Sequence, residues 1–139
     1  MRIRPFHPDD ETAVIALWRD CDLVRPWNDP HKDIARKLKV RPDLFLVGEF
    51  ERAVVATVMA GYDGHRGWLY YLGVAPRHQH KGFGRAIVAE AERLLRLEGC
   101  PKINLQVRTS NHRVIEFYRR IGFSIDDVAS MGKRLEPDQ

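Results

Sequence analysis

The stretch with the clearest potential for chemistry is the glycine segment, residues 79–85 (QHKGFGR), where two glycines lie among basic side chains at a predicted helix start. A helix start leaves several backbone N–H groups unpaired and carries roughly half a positive charge, and phosphate oxygens satisfy both features. Gly82 and Gly84 lack a Cβ, so a diphosphate could approach the backbone there. The basic side chains that could meet a further phosphate are Lys81 and Arg85, with Arg77 or His78. Alternatively, the glycines only shape a strand-to-helix turn and the charges are solvated.

Several other chemistries are excluded by spacing. There is no G-x-x-x-x-G-K-[ST] motif, and Ile87 stands where a dinucleotide fingerprint needs its third glycine. His78 and His80 have no carboxylate or cysteine at ligand spacing, so we expect no metal site. No serine lies in a nucleophile elbow.

A second pair of chemically useful residues is Asn111 and Tyr118. They are seven residues apart, which is about two helical turns, so they share one face of a predicted helix. Asn111 is also a typical helix N-cap, and Tyr118 could equally be a core aromatic beside Phe117. Both alternatives stay open.

The elements that must position these residues follow from hydrophobic periodicity and from Gly, Pro and Asp boundaries. Strands are predicted at residues 1–6, 44–50, 54–62, 68–74, 102–108 and 123–132. Helices are predicted from Asp9 or Asp10 to about residue 22, and at residues 31–39, 83–99 and 111–121. The order β-α-α-β-β-β-α-β-α-β favours an α/β (α+β) fold with a mixed sheet flanked by helices, not a doubly wound parallel sheet.

Composition narrows the class of protein. The 139 residues fit one domain, 1–139, and no repeat or linker interrupts them. The net charge of +4 fits an anionic ligand but falls short of a dedicated nucleic-acid binder, so we expect no nucleic-acid partner. Cys21 and Cys100 have no metal or disulfide pattern, and no segment resembles a signal peptide or membrane span. We therefore expect a cytoplasmic protein.

Two ordered motifs resemble those of the GNAT N-acetyltransferase superfamily. Residues 79–84, preceded by V-x-P at 74–76, are similar to its Q/R-x-x-G-x-G/A signature. Residues 111–123 (NHRVIEFYRRIGF) are similar to its N-x-x-[AV]-I-x-F-Y-x-x-x-G-F block. Their order and separation also match, and the predicted elements follow the family's fold, with a mostly antiparallel sheet and about four helices, over almost the whole chain.

The resemblance implies acetyl-CoA as the donor. The pyrophosphate would then be held by Gln79, His80, Lys81, Gly82, Phe83, Gly84 and Arg85. The pantetheine arm would lie where strand 68–74 splays from strand 102–108, against Leu72 and Val74, and one of their N–H groups would polarise the thioester carbonyl. Gly73 could permit the bulge that produces this splay. Asn111 would help to hold the arm, and Tyr118 would act as the general acid that protonates the departing thiolate.

The general base stays open. Related N-terminal-amine acetyltransferases carry a glutamate in an L-E-V-R strand, whereas this chain reads L-Q-V-R, and Gln106 accepts no proton. Candidates acting through water are Asp63, His65 and Glu49, although Asp63-Gly64 is also typical hairpin chemistry and His65 a typical surface residue. Neutralising a lysine at pH 7 costs about 4.6 kcal/mol, but neutralising an α-amine costs only about 1 kcal/mol. An enzyme without a general base would therefore act more readily on a weakly basic amine.

The resemblance also suggests where the acceptor amine binds. The loop between the first two helices and the nearby strand ends supply Arg25, Trp27, Asn28, Asp29, Tyr62, Asp63 and Tyr70. Alternatively, Trp27 is a hydrophobic plug and Asn28-Asp29 caps a turn. We expect an N-acetyltransferase acting on a primary amine of a small molecule, peptide or protein N-terminus, with a homodimer compatible with such small enzymes. The competing hypotheses are a non-catalytic acyl-CoA sensor and a small basic nucleic-acid binder.

Overall fold

The computed structural model of the protein describes residues 1–138. The strands are β1 (Arg2–Pro5), β2 (Phe45–Phe50), β3 (Ala53–Tyr62), β4 (Gly67–Val74) and β5 (Ile103–Asn104). The helices are α1 (Glu11–Asp20), α2 (Pro30–Lys37), α3 (Phe83–Leu97) and α4 (His112–Arg120). The mixed α/β class and the element order are confirmed as far as α4.

The five strands form one sheet in the order β1-β2-β3-β4-β5. All neighbours are antiparallel except β4 and β5, which run parallel. This parallel pair consists only of Gly67 with Ile103 and Trp68 with Asn104. Beyond those residues the two strands separate, so the sheet opens beside the second half of β4. This is the splay that the family resemblance implied.

Hydrophobic residues on the two faces of the sheet bury different helices. On one face, Val58 and Leu69 pack with Ile87 and Leu95 of α3. On the other, Phe45 and Met59 belong to a cluster with Trp18 of α1 and Ile34 of α2. Because side chains alternate along β2–β4, α3 packs on one face of the sheet and α1 and α2 pack on the other. Strand β4 therefore lies between the two layers of helices.

One predicted strand is shorter than expected and another is wrong. Residues 102–108 form a strand only at Ile103–Asn104: the Lys102 carbonyl still accepts the N–H of Gly67 at 2.8 Å, but residues 105–108 have left β4 and join no other described strand. Residues 123–132 form no strand at all. Ile125 and Val128 of that segment are 68% and 77% exposed, so burial provides nothing to fix an extended register.

The bulge in β4 lies at a different residue from the one predicted. Thr57 pairs with Gly73 and Met59 with Tyr70, so Tyr71 and Leu72 together oppose a single residue of β3. Tyr71 adopts the left-handed backbone conformation, with φ of +53°. Gly73 instead allows close packing, because a Cβ there would lie 3.1 Å from a methyl group of Leu23.

The start of α1 also differs from expectation. Asp10 makes no side-chain cap for that helix. Its carboxylate binds the guanidinium of Arg4 at 2.7 Å and accepts the backbone N–H of His7 at 2.8 Å. Asp10 therefore fixes a short turn to β1, and the pKa of its carboxyl is lowered chiefly by the hydrogen bond from Arg4.

Candidate active site

The start of α3 is an open cluster of backbone donors. His80 and Gly82 both have left-handed φ values, +65° and +83°, on either side of Lys81. No side chain of the described residues caps the helix. Left-handed residues at such a turn can direct successive N–H groups into one anion-binding concavity, and the unpaired N–H groups of the first helical turn add to it. The geometry suits a diphosphate.

The two glycines of the segment have different surroundings. A Cβ on Gly82 would meet nothing within 4 Å, so the backbone there is open to a ligand. A Cβ on Gly84 would lie 3.2 Å from the Phe117 ring and 3.5 Å from a methyl group of Val74. Gly84 therefore lets α4 and β4 pack closely against the start of α3.

Two basic residues of the segment differ in their contacts: Lys81 is held by neighbouring side chains, whereas Arg85 forms no ion pair within the described structure. The Lys81 ammonium lies 2.9 Å from Nδ1 of His78 and 5.3 Å from the centroid of the Phe50 ring. Burial, with the nearby charge of Lys81 and Arg77, lowers the pKa of His78, and Nδ1 of the neutral imidazole accepts a hydrogen bond from the Lys81 ammonium. Arg85 is exposed, and none of the described carboxylates forms an ion pair with it.

The second half of β4 presents backbone groups to the opened edge. The N–H of Ala75 binds the carbonyl of Val55 on β3 at 2.8 Å. Because backbone groups alternate between the two edges of a strand, the N–H and carbonyl of Val74 face away from β3, and those of Leu72 take the same side. The Val74 carbonyl already accepts the Gln79 amide at 3.2 Å and the Cys21 thiol at 3.3 Å.

A buried hydrogen-bonded chain holds the bulge in place. Trp18 Nε1 donates to Thr57 Oγ1 at 2.9 Å, and the Thr57 hydroxyl donates to the Tyr71 carbonyl at 2.9 Å. The Tyr71 ring stacks on Trp18 with centroids 3.8 Å apart, and its hydroxyl donates to Asp33 of α2 at 2.6 Å. The position of Leu72 at the opened edge is thus fixed from α1 and α2.

Tyr118 is buried with a free hydroxyl. The residue is 7% exposed, and its ring packs edge-on against Phe117 and Phe123. Burial alone raises the pKa of the phenol, so the group stays protonated at neutral pH. No described residue hydrogen-bonds this hydroxyl. It borders an open cavity of about 1180 Å³ that is also lined by Trp68, Asn104, Gln106, Arg108, Thr109 and Ser130.

The cavity adjoins Tyr118 of α4 but not the glycine segment, residues 79–85. Phe117 contacts the start of α3, whereas the next residue, Tyr118, faces the cavity. Neither Leu72 and Val74 nor residues 79–85 line that cavity. Asn111 is the N-cap of α4, with its side-chain oxygen accepting the N–H of Val114 at 3.3 Å, so the capping alternative is confirmed.

The three candidate bases are differently engaged. Asp63 accepts the N–H groups of His65 and Arg66 at 2.8 Å each, which lowers the pKa of its carboxyl and weakens it as a base. Glu49 forms an ion pair with Arg4 on the β1 side of the sheet. His65 is exposed in the same turn as Asp63. Gln106 donates its amide to the Ser130 hydroxyl.

The candidate acceptor loop between α1 and α2 is held by its own contacts. Arg25 pairs with Asp22 at 3.0 Å, and Asp29 caps α2 by accepting the N–H of His31 at 2.9 Å. Trp27 is 45% exposed, so it is not a buried plug. On the neighbouring strands, Tyr70 is 51% exposed and the Tyr62 hydroxyl donates to the carbonyl of Gly64 at 3.2 Å.

Three residues near this loop were missed by sequence reasoning. The Arg108 guanidinium lies 5.1 Å from the centroid of the Trp27 ring, and Arg134 donates to the Asn28 side chain at 2.9 Å. Asp138, whose side chain is 1% exposed, binds Arg36 at 2.7 Å and accepts the N–H of Asp29 at 2.9 Å. No local sequence signal reveals these contacts, because they join residues 81 to 109 positions apart.

Among residues 1–138, neither a metal-binding cluster nor a membrane-spanning helix forms part of the candidate site. No group of three or more His, Cys, Asp or Glu side chains within residues 1–138 is arranged to hold a metal ion. Over the same residues, no helix combines the length and apolar character that crossing a membrane requires.

Comparison with known proteins points to one family. The model of the Acetyltransferase (GNAT) family matches residues 12–123. An acetyltransferase of Yersinia pestis (strain Pestoides F) is 50% identical over 139 residues, which is 100% of this chain and 99% of that protein. The structure of Ard1 from Thermoplasma volcanium superposes with a TM-score of 0.75 at 25% identity, covering 90% of this chain and 83% of that one. The PaiA N-acetyltransferase from Thermoplasma acidophilum, solved with coenzyme A, gives a TM-score of 0.74 at 18% identity over 92% of each chain.

The family model and the 50% identical relative thus show an acyltransferase, and the chain belongs to the acetyltransferase (GNAT) family. It resembles the small bacterial members, catalyses acetyl transfer and uses acetyl-CoA as the donor. Membership favours an enzyme over the non-catalytic sensor. The residues present fit the cofactor, because the first turn of α3 is uncapped and β4 has an unpaired edge.

Proposed function

We propose that this protein is an N-acetyltransferase that moves the acetyl group of acetyl-CoA directly to a primary amine of a small molecule, peptide or protein N-terminus. The observation that carries the proposal is Tyr118, whose ring is buried while its protonated hydroxyl has no hydrogen-bond partner among the described residues. Such a hydroxyl suits a proton donor that is completed only when the cofactor sulfur arrives.

The donor would occupy the opened edge of β4. The N–H groups at the start of α3, with Arg85, would bind the diphosphate, and Asn111 would stay near the arm as the cap of α4. The N–H of Leu72 or Val74 would donate to the thioester oxygen as charge develops there. Lys81 would contribute its positive charge from its position beside His78.

The proposed reaction joins the amine nitrogen to the acetyl carbon and releases CoA as the thiol. The neutral amine nitrogen attacks the thioester carbonyl carbon, and the carbon–sulfur bond breaks. The thiolate takes the Tyr118 proton, the amine loses its own proton to water, and Tyr118 is reprotonated from solvent. This needs no strong base, which fits the engaged carboxylates of Asp63 and Glu49 and favours an α-amine over a lysine side chain.

The test is Tyr118→Phe, assayed by acetyl-CoA-dependent thiol release with a panel of amines and peptides. We expect kcat to fall roughly 100-fold, at the lower end for general acids because a thiol is a moderately good leaving group, with the KM for acetyl-CoA unchanged. Phe123→Leu is the control, because it disturbs the packing around the Tyr118 ring but keeps the hydroxyl. Unchanged kcat in Tyr118→Phe, or an equal loss in both variants, would remove Tyr118 from the chemistry.

Further expectations accompany the proposal. We place the enzyme in the cytoplasm because Cys21 and Cys100 are free thiols in the described structure and lack a disulfide pattern. The residues 1–139 are expected to act as one domain, with a homodimer compatible with the fold and no nucleic-acid partner.

A further inference from the structure

The guanidinium of Arg108 has an unused hydrogen-bonding edge. It lies over the Trp27 ring, and no carboxylate within the described chain is close enough to form an ion pair with it. A cation–π contact uses none of the hydrogen-bonding capacity of a guanidinium, whose N–H donors lie in its plane. That edge matches the two oxygens of a carboxylate.

The acids near Arg108 are engaged with other groups. Asp22 pairs with Arg25, and Asp29 accepts backbone N–H groups at the start of α2. Asp138 binds Arg36 and the N–H of Asp29, and these hydrogen bonds with the field of Arg134 lower the pKa of its carboxyl to about 2. No acid of this loop is therefore left to neutralise Arg108.

A second arginine strengthens the positive field at the same place. Arg134 donates to the side chain of Asn28, the residue after Trp27, and its other bond is to the carbonyl of Glu136. In the described structure it too has no carboxylate at ion-pair distance. Two guanidinium groups thus converge on consecutive residues of the loop.

The cavity connects this charge to the Tyr118 hydroxyl. Arg108 and Tyr118 line the same space, whose other charged residues are Glu92, Arg96, Lys102, Arg119 and Asp126. Lys102 and Asp126 pair with each other at 2.8 Å. Among the charged groups that remain, three arginines face one glutamate, so the walls carry a net positive charge.

We propose that the acceptor is an amine that also carries a carboxylate, which Arg108 binds from its position on Trp27. The inference rests on the proposed function, since it takes Tyr118 to mark the reacting end of the cavity. Either a single acidic amino acid or an acidic N-terminal residue of a peptide supplies this chemistry.

The experiment uses acceptor pairs that differ only in a carboxylate or a carboxamide. Aspartic acid α-amide against asparagine α-amide tests a single residue, and Asp-Ala-Ala amide against Asn-Ala-Ala amide tests a peptide. The quantity measured is kcat/KM of each acceptor at saturating acetyl-CoA. A charge-assisted hydrogen-bonded pair predicts that the acid is preferred about tenfold or more in at least one pair, and the pair with the larger preference identifies the source.

Variants of the chain locate the preference. Arg108→Gln should reduce it to within about threefold, and Arg108→Lys should keep only part of it, because lysine retains the charge but lacks the planar fork. Arg2→Gln is the matched control, since it removes one exposed charge from β1 at the opposite edge of the sheet. It should leave the preference intact.

The outcomes separate the two proposals. Equal rates for acid and amide, or a preference that survives Arg108→Gln, overturn the carboxylate proposal but leave amine acetylation standing. If no amine is acetylated, the proposed function fails, and calorimetric binding of the matched N-acetylated products to the CoA-loaded protein decides the carboxylate question. Tighter binding of the acidic product that is lost in Arg108→Gln supports the proposal, and equal binding rejects it.

Discussion

The Thr57 hydroxyl links the Tyr71 carbonyl in the β4 bulge to Trp18 of α1. This hydroxyl accepts from Trp18 and donates to the Tyr71 carbonyl, both at 2.9 Å, and Thr57 and Trp18 are fully buried. Thr57→Val keeps the shape of the side chain but removes both hydrogen bonds. The change therefore isolates the polar contribution.

The cost follows from these two bonds. A buried donor left without a partner costs about 1–3 kcal/mol, and the lost bond to the carbonyl adds about 1 kcal/mol. We expect the free energy of unfolding of Thr57→Val to fall by about 2–4 kcal/mol. The freed Tyr71 carbonyl would also let the bulge relax, which misplaces Leu72 and raises the KM for acetyl-CoA.

Urea denaturation followed by circular dichroism measures the loss, and steady-state kinetics measures KM. Thr57→Ser is the control, because it keeps the hydroxyl and loses one methyl group, which costs about 1 kcal/mol. If Thr57→Val is as stable as the parent chain, or no less stable than Thr57→Ser, the hydrogen-bonded chain does not hold the bulge.

Two further changes test the site from other directions. Gly82→Ala and Gly99→Ala place a Cβ at left-handed φ values of +83° and +84°, at the two ends of α3, with nothing within 4 Å of either. Each should cost about 1 kcal/mol of stability, but only Gly82→Ala should raise the KM for acetyl-CoA, and equal KM values would argue against a ligand at Gly82. The pKa of the Asp138 carboxyl is lowered from 3.8 to about 2 by hydrogen bonds from Arg36 and from the Asp29 N–H. The ionised carboxylate therefore stabilises the fold above about pH 4, and this stabilisation is lost as the pH falls towards 2. Asp138→Asn should therefore lower the urea midpoint at pH 6 and approach the parent chain at pH 2, and a constant gap across that range would contradict the assignment.

The regular elements of the fold were predictable because their signals are local. Strands β2, β3 and β4 and helix α3 were placed within about two residues by hydrophobic alternation, helical spacing and glycine boundaries. The pattern of residues 102–108 also alternates, but alternation reports only which face is buried. Whether a neighbouring strand supplies hydrogen bonds depends on the whole sheet, so β5 was overestimated.

The candidate site likewise contains some features that were predictable from the sequence and others that were not. The uncapped start of α3 and the Asn111 cap were visible in the sequence because they depend on a few consecutive residues. The contact of Arg108 with the Trp27 ring was not, because it joins residues that are far apart in the sequence. The left-handed Tyr71 escaped prediction for a related reason, since tertiary hydrogen bonds hold a conformation that tyrosine rarely adopts alone.

The most direct test of the site is an experimental structure of the protein with coenzyme A bound. We expect diphosphate oxygens within about 3.2 Å of backbone nitrogens at the start of α3, around Gly82 and Gly84, and the sulfur near the Tyr118 hydroxyl at the opened edge of β4. A diphosphate bound elsewhere, with the start of α3 left to solvent, would contradict this expectation.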